Sequence, residues 1–290
     1  MTVHLVTSSD DVRVALHHLA PGPASSPLLI AHATGFNAPA YRPLAEALAD
    51  RFDVWGVDVR GHGLTPPAAG DVDWNRYGDD TLAAAAWLSE QAPDATALVG
   101  FGHSMGGTAM LMAADRRPDI FRALALYEPI VFDPAEATAD RPNPLADGAV
   151  RRRREFPSAR AAIENFASKP PMRSFDPEAL RGYVTGGTTP VDPSDPEGPV
   201  RLSCSPELES ATFRNSLGHG TWNRLPAIAT PTVVIGGAPE GVNAGPAMIA
   251  PTIAERLASG TYELHPELDH FGPFTHPGKT AAIVSASVPR

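Results

Sequence analysis

A mostly parallel β-sheet flanked by helices is the α/β architecture this sequence predicts. Two features predict it: short apolar runs of strand length recur, and segments of helical length separate them. Near the start, Val12, Val14 and Leu16 alternate with polar or small residues, as a half-buried strand requires. The runs "PLLIAH" (27–32), "FDVWGVD" (52–58), "ATALVGF" (95–101) and "ALALYE" (123–128) are continuous instead, as in strands covered on both faces. Between them lie "YRPLAEALADR", "YGDDTLAAAAWLSEQ" and "MGGTAMLMAADRR", each of helical length. This alternation implies right-handed crossovers between parallel strands.

The pattern stops near residue 133 and resumes with "PTVVIGG" (231–237), a helix near 247–258, "TYELH" (261–265) and a last helix from about 277. The intervening stretch is rich in Pro, Arg and Asp. It carries helical pieces ("GAVRRRREF", "SARAAIENFAS", "DPEALRGYV" and "PELESATFRNSL") but no strand of the parallel type. It reads as a helical insertion between two late strands, with "TTPVDPSDPEGPV" (188–200) as an exposed loop. The expected organisation is a core from 1–132 and 226–290, interrupted by a helical cap at 133–225.

With 290 residues, 43% of them hydrophobic and 19% charged, the chain can bury a substantial core. A formal charge of −10 argues against a nucleic-acid or anionic-membrane surface. The run Arg151 to Arg154 is the local exception, expected as the solvated face of a helix. Cys204 stands alone, so there is no intrachain disulfide and no Cys/His zinc spacing; no metal and no cofactor are expected. The N-terminus lacks the basic and apolar regions of a signal peptide, and nowhere do eighteen apolar residues run together. The expectation is a soluble cytoplasmic monomer or homodimer whose partner is a small-molecule substrate.

The segment "GFGHSMGG" (100–107) places four glycines around Ser104 at the join of a predicted strand and helix. A nucleophilic serine projecting from a strained turn needs small residues two before and two after it, so that strand and helix can approach. Gly102 and Gly106 supply the pattern G-x-S-x-G. The Met105 N–H, at the helix N-terminus, then points where an oxyanion would form.

With this elbow, "HATGF" (32–36), "DVRGHGLT" (58–65) and "HPELDHFGPFTHP" (265–277) follow strands in an order that resembles the α/β-hydrolase superfamily. The likeness is to its serine-nucleophile, esterase- and lipase-like members with a helical cap, and it spans nearly the whole chain. The resemblance implies His270 as the base and the Thr34 N–H as the second oxyanion donor. Ala33 departs from the glycine usual in that loop. It leaves two candidates for the acid. Glu240, in "GGAPEGV", has the usual position after the later strand; Glu128, in "LYEPI", has the alternative at the preceding strand tip. Glu128 is favoured because strand and proline fix it, whereas Glu240 lies among Gly, Pro and Asn.

The other histidines are expected to be surface, packing or turn residues, except His219 in "LGHGTW", which could equally line a pocket. Phe36 and Phe271, with the insertion's Phe166, Phe175, Tyr183, Phe213 and Trp222, are candidate pocket aromatics. A serine nucleophile implies acyl transfer to water through an acyl-enzyme, on a carboxylic ester or lactone. The alternatives are a C–C bond hydrolase of ring-cleavage products, a cofactor-free perhydrolase, or a small-molecule receptor on a hydrolase fold.

Overall fold

The computed structural model describes residues 2–91, 98–136, 143–239 and 244–289. The strands are β1 (Val3–Thr7), β2 (Arg13–Ala20), β3 (Pro27–Ala31), β4 (Asp53–Asp58), β5 (Leu98–His103), β6 (Phe121–Tyr127), β7 (Glu155–Phe156), β8 (Thr188–Pro190), β9 (Val200–Leu202), β10 (Thr232–Gly236) and β11 (Gly260–Leu264). Eight of them form one sheet in the order β1-β2-β4-β3-β5-β6-β10-β11. β2 pairs antiparallel with β1 and β4, and every later neighbour is parallel. The expected α/β architecture is present. β1 has no counterpart in the sequence reading, because as an edge strand it buries only Val6 and shows no apolar run.

Helices α1 (Arg42–Leu48), α2 (Trp74–Gln91) and α3 (Met105–Arg116) cross between strands of the first half. After β6 the chain runs through α4 (Pro144–Ala149), α5 (Ala159–Ala167), α6 (Pro177–Gly187), α7 (Pro206–Arg214) and α8 (Thr221–Arg224). It then returns for α9 (Ala244–Arg256), α10 (Gly272–Thr275) and α11 (Pro277–Ser287). Alternation along β3 shows how both faces are covered. Leu28 and Ile30 pack with Leu44 of α1 and Val284 of α11, while Leu29 and Ala31 join Ala84 of α2, Met110 of α3 and Ile253 of α9. A strand buried on both faces has no polar register, which is why these runs are continuous in sequence.

The insertion is not wholly helical, as expected, but also contains an antiparallel sheet in the order β7-β9-β8. Strands of two or three residues, one ending in proline, leave no apolar run to detect. The ends of the proline-rich stretch pair as β8 and β9, and only its middle is an exposed loop. The arginine run departs from expectation in part: Arg151, Arg153 and Arg154 are exposed, as expected, but the run is not on a helix and Arg152 is not solvated. α4, capped by the Asn143 side chain, ends at Ala149, so the run lies beyond the helix and not on its face. Arg152 turns inward to pair with Glu209 and to donate to the Tyr183 hydroxyl. Arg154 pairs with Glu207, and Arg153 lies 5.6 Å above the Phe156 ring. The Glu209 carboxylate on the first turn of α7 draws in Arg152, a side chain that a bare charge run would leave in water, while Arg151, Arg153 and Arg154 stay exposed.

α6 docks on the loop after β3 so closely that a Cβ on Gly182 would sit 2.1 Å from the Pro39 carbonyl oxygen. Gly148, in α4, has open space around it. Gly182→Ala should therefore lower unfolding free energy by more than about 1 kcal/mol. Gly148→Ala should be neutral or stabilising by up to about 1 kcal/mol, as helix propensity alone dictates. Urea unfolding of both variants checks this; equal effects would mean that the α6 contact is loose.

Candidate active site

Ser104 sits between β5 and α3 with φ 56° and ψ −119°, outside the regions open to most side chains. The glycines around it are required by contact. A Cβ on Gly106 would lie 2.1 Å from the Ala31 carbonyl oxygen, and one on Gly102 would lie 2.6 Å from Gly107 Cα. The turn is held by its neighbour strand, since the Ser104 N–H donates to the Tyr127 carbonyl at 2.9 Å.

At the tip of that strand, Glu128 also has a left-handed backbone, with φ 46°. Its N–H donates to Ile235 O at 2.9 Å, which fixes the residue against β10. The side chain is fully buried. One carboxylate oxygen accepts the Gly237 N–H at 2.7 Å, and the other accepts His270 Nδ1 at 2.5 Å. His270 follows β11, and its loop is tied down by the Tyr127 hydroxyl, which donates to Asp269 O at 2.6 Å. Of the two glutamates, Glu128 is therefore the one on the imidazole, and Glu240 lies outside the described residues.

The loop after β3 makes a tight turn in which the Phe36 N–H donates to Ala33 O at 3.1 Å and Gly35 has φ 77°. That is the pattern of a type II turn, with glycine at the third place, so the Ala33 substitution does not disturb it. Among the described residues, neither the Thr34 nor the Met105 N–H has a protein acceptor. The loop after β4 braces this turn. Asp58 accepts N–H groups from Ala38 (2.7 Å) and Leu64 (2.9 Å) and a bond from His17 Nε2 (2.7 Å). Burial would raise the Asp58 carboxyl, but the His17 bond and charge outweigh it and hold it low. Arg60 is pinned by Asp80 and Asp10. His32 donates from Nδ1 to Ala33 O at 2.8 Å and accepts the Val59 N–H at 3.2 Å.

Of the candidate pocket aromatics, Phe36 gathers Tyr183 (ring centroids 5.1 Å apart), Phe175 (6.1 Å) and Phe271 (6.5 Å). Phe166 joins through Tyr183 at 5.3 Å. Phe213 is half-buried and makes none of these ring contacts. Trp222 does not belong to this group: it packs in the core cluster on the other sheet face, under the Arg256 guanidinium at 4.3 Å. His219 is on that side too, stacked on Trp74 at 5.3 Å and accepting the Thr221 hydroxyl at 2.9 Å. Tyr41, His103, Tyr127, Arg152 and Glu209 were not singled out as site residues by sequence. Only the position of His103, beside the serine, could have drawn attention to it.

Comparison with known proteins fits this geometry. Residues 28–283 match the family model described as the Alpha/beta hydrolase family, so the chain belongs to the α/β hydrolase family. It is similar to 2-(acetamidomethylene)succinate hydrolase of Mesorhizobium japonicum, 28% identical over 65% of this chain and 64% of that one. The alignment thus spans just under two thirds of that relative. In fold it resembles the crystal structure of E-2-(acetamidomethylene)succinate hydrolase, with a TM-score of 0.74 at 21% identity over 98% of both chains. It also resembles the esterase RhEst1 from Rhodococcus sp. ECU1013, with a TM-score of 0.70 at 19% identity over 99% and 98% of the two chains. Among the described residues no helix is long and apolar enough to cross a membrane.

Burial favours the neutral form of several histidines. Burial, with the nearby His32, lowers His62 to about 3. Burial lowers His219 to about 4 and His103 well below its ordinary value. In the unfolded chain they would take up protons near pH 6.5, so their stability contribution is complete above that pH and is lost as pH falls towards the folded values. A histidine lowered as far as His62 forfeits about 2 kcal/mol by about pH 5. Urea unfolding should show stability falling by several kcal/mol between about pH 7 and about pH 5. A flat curve would mean that these rings already accept protons in the folded state.

Proposed function

We propose that the chain is a serine hydrolase of a small-molecule carboxylic ester or lactone, working through an acyl-enzyme. The observation that carries this reading is the 2.5 Å contact of His270 Nδ1 with a buried Glu128, in the loop packed against the strained Ser104 turn. In the proposed cycle the Ser104 hydroxyl oxygen attacks the acyl carbonyl carbon while His270 Nε2 takes the hydroxyl proton. Glu128 holds the ring by Nδ1–H and stabilises the imidazolium. The N–H groups of Thr34 and Met105 receive the oxyanion. Collapse breaks the acyl–oxygen bond, and His270 returns the proton to the leaving alcohol. Water, deprotonated by the same ring, then releases the acid and restores Ser104. The segment 133–225 acts as a cap, and its aromatics around Phe36 select the acyl or alcohol group.

The assignment of the acid is the most discriminating test. Replacing a triad carboxylate by its amide in a serine protease costs about 10⁴ in kcat, whereas a distant solvated charge is screened. Glu128→Gln should lower kcat on p-nitrophenyl esters by about 10²–10⁴, with Glu240→Gln within about fivefold of the parent. The reverse would move the acid to Glu240. An organophosphonate should add one mass increment on the peptide containing Ser104, and Ser104→Ala should abolish both labelling and turnover. Binding without turnover of any ester, thioester or lactone would favour the receptor reading, and turnover of dienoates alone the C–C hydrolase.

A further inference from the structure

The residue before the serine makes bonds that the acyl-transfer cycle does not use. His103 Nε2 lies 2.9 Å from the carbonyl oxygen of His270, and its Nδ1 lies 2.8 Å from the Tyr41 hydroxyl. The same hydroxyl oxygen lies 3.0 Å from the Ala33 N–H. Tyr41 and His103 are fully buried, so each of these polar atoms depends on the others.

The polarity of the chain is fixed by elimination. A carbonyl only accepts, so the His103 proton resides on Nε2. Nδ1 is then a lone pair and must accept the Tyr41 O–H, which leaves the phenol oxygen to accept the Ala33 N–H. Every donor and acceptor has a partner, and only the neutral Nε2–H tautomer achieves this. The relay thus begins one residue before Thr34, passes beside Ser104 and ends on the backbone of His270.

We infer that Tyr41 and His103 are positioning residues that set the oxyanion loop and the base-bearing loop at a fixed separation across the nucleophile. This rests on the function proposed above, since only then does that separation govern a rate. A merely structural pair would hold the fold without a preference for the transition state. The relay instead anchors the two loops whose groups meet the developing charge, so it should act on kcat and leave ground-state binding nearly unchanged. Neutrality also matters. The His103 and His270 rings are 5.0 Å apart, and a positive His103 would oppose the imidazolium that the cycle requires. Burial and the proximity of His270 both hold His103 well below its ordinary value.

The test compares Tyr41→Phe, His103→Leu, His103→Gln and the Tyr41→Phe/His103→Leu double variant on a p-nitrophenyl ester. Misplacement by about 1 Å can cost about 10²-fold, so the two single variants that break the relay should lose about 10- to 100-fold in kcat with KM within about threefold. Glutamine retains an N–H for the carbonyl and an oxygen for the phenol, and should recover activity to within about fivefold of the parent. The double variant should be no worse than the poorer single, because either break opens the same relay. Organophosphonate titration of Ser104 counts intact sites in each preparation. Losses confined to KM, additive losses, or His103→Leu matching the parent would overturn the inference. An inactive parent would instead overturn the proposed function. Histidine-ring ¹⁵N spectra of the unaltered protein give a result even if variants fail to fold. His103 should show the Nε2–H tautomer, and an Nδ1–H or cationic ring near neutral pH would overturn the relay.

Discussion

A carboxylate with no exposure to water, at the end of a central strand, is the constraint on which the site depends. Glu128 could not remain there charged and alone, since breaking a buried pair costs several kcal/mol. Its two partners come from different parts of the chain. The Gly237 N–H follows β10 and the His270 ring follows β11, the two strands beyond β6 in the sheet. Satisfying one charge therefore ties together three strand ends that are remote in sequence. The bond from Ser104 N–H to Tyr127 O adds β5 to the set. The left-handed backbones of Ser104 and Glu128 stand at the ends of these adjacent strands, where strain persists only because the surroundings fix it.

What was legible in the sequence follows from the same physics. Parallel strands buried on both faces give unbroken apolar runs, so β3 to β6 and β10 could be read directly. Edge strand β11, with no buried residue, was legible only from its place in the resumed alternation of strand and helix. The elbow was legible because steric demand at Gly102 and Gly106 admits no other residue type. Edge strand β1 and the short strands β7 to β9 bury too little to impose a pattern. Within the arginine run only Arg152 was misread as solvated, because local spacing cannot report a partner such as Glu209, more than fifty residues away. The preference for Glu128 rested on a rigidity argument, and the structure gives it a second basis in the Gly237 and Ile235 bonds. Apart from the place of His103 beside the serine, nothing local could separate His103 or Tyr41 from packing residues, because the bonds that join them to each other and to His270 span 62 and 167 residues.

The division of the aromatics has a similar origin. Phe36, Phe175, Tyr183 and Phe166 form one group because the insertion's α5 and α6 extend the core on the α1 and α11 face. Trp222 and His219 follow α7 and return the chain to the opposite face, beside α2, α3 and α9. Residues close in the insertion's sequence can thus end on different sides of the sheet, and an aromatic side chain alone does not say which.

The insertion and the loop after β3 are also joined through charge. A Cβ on Gly35 would come within 2.5 Å of Glu209 Oε1, so the carboxylate from α7 rests on the glycine of the type II turn. Glu209 is in turn neutralised by Arg152, which also binds the Tyr183 hydroxyl beside Phe36. Gly35 therefore meets two demands: a φ of 77° that the turn requires and a surface flat enough for the carboxylate. The insertion and the turn that carries Thr34 therefore meet at this contact as well as at the α6–Pro39 packing and the Phe36 ring contacts. A change in the insertion that displaces Glu209 cannot leave the turn at Thr34 untouched. Under the proposed function, specificity and rate would be coupled by the packing of the insertion on the loop after β3, and Gly35 is one point of that packing.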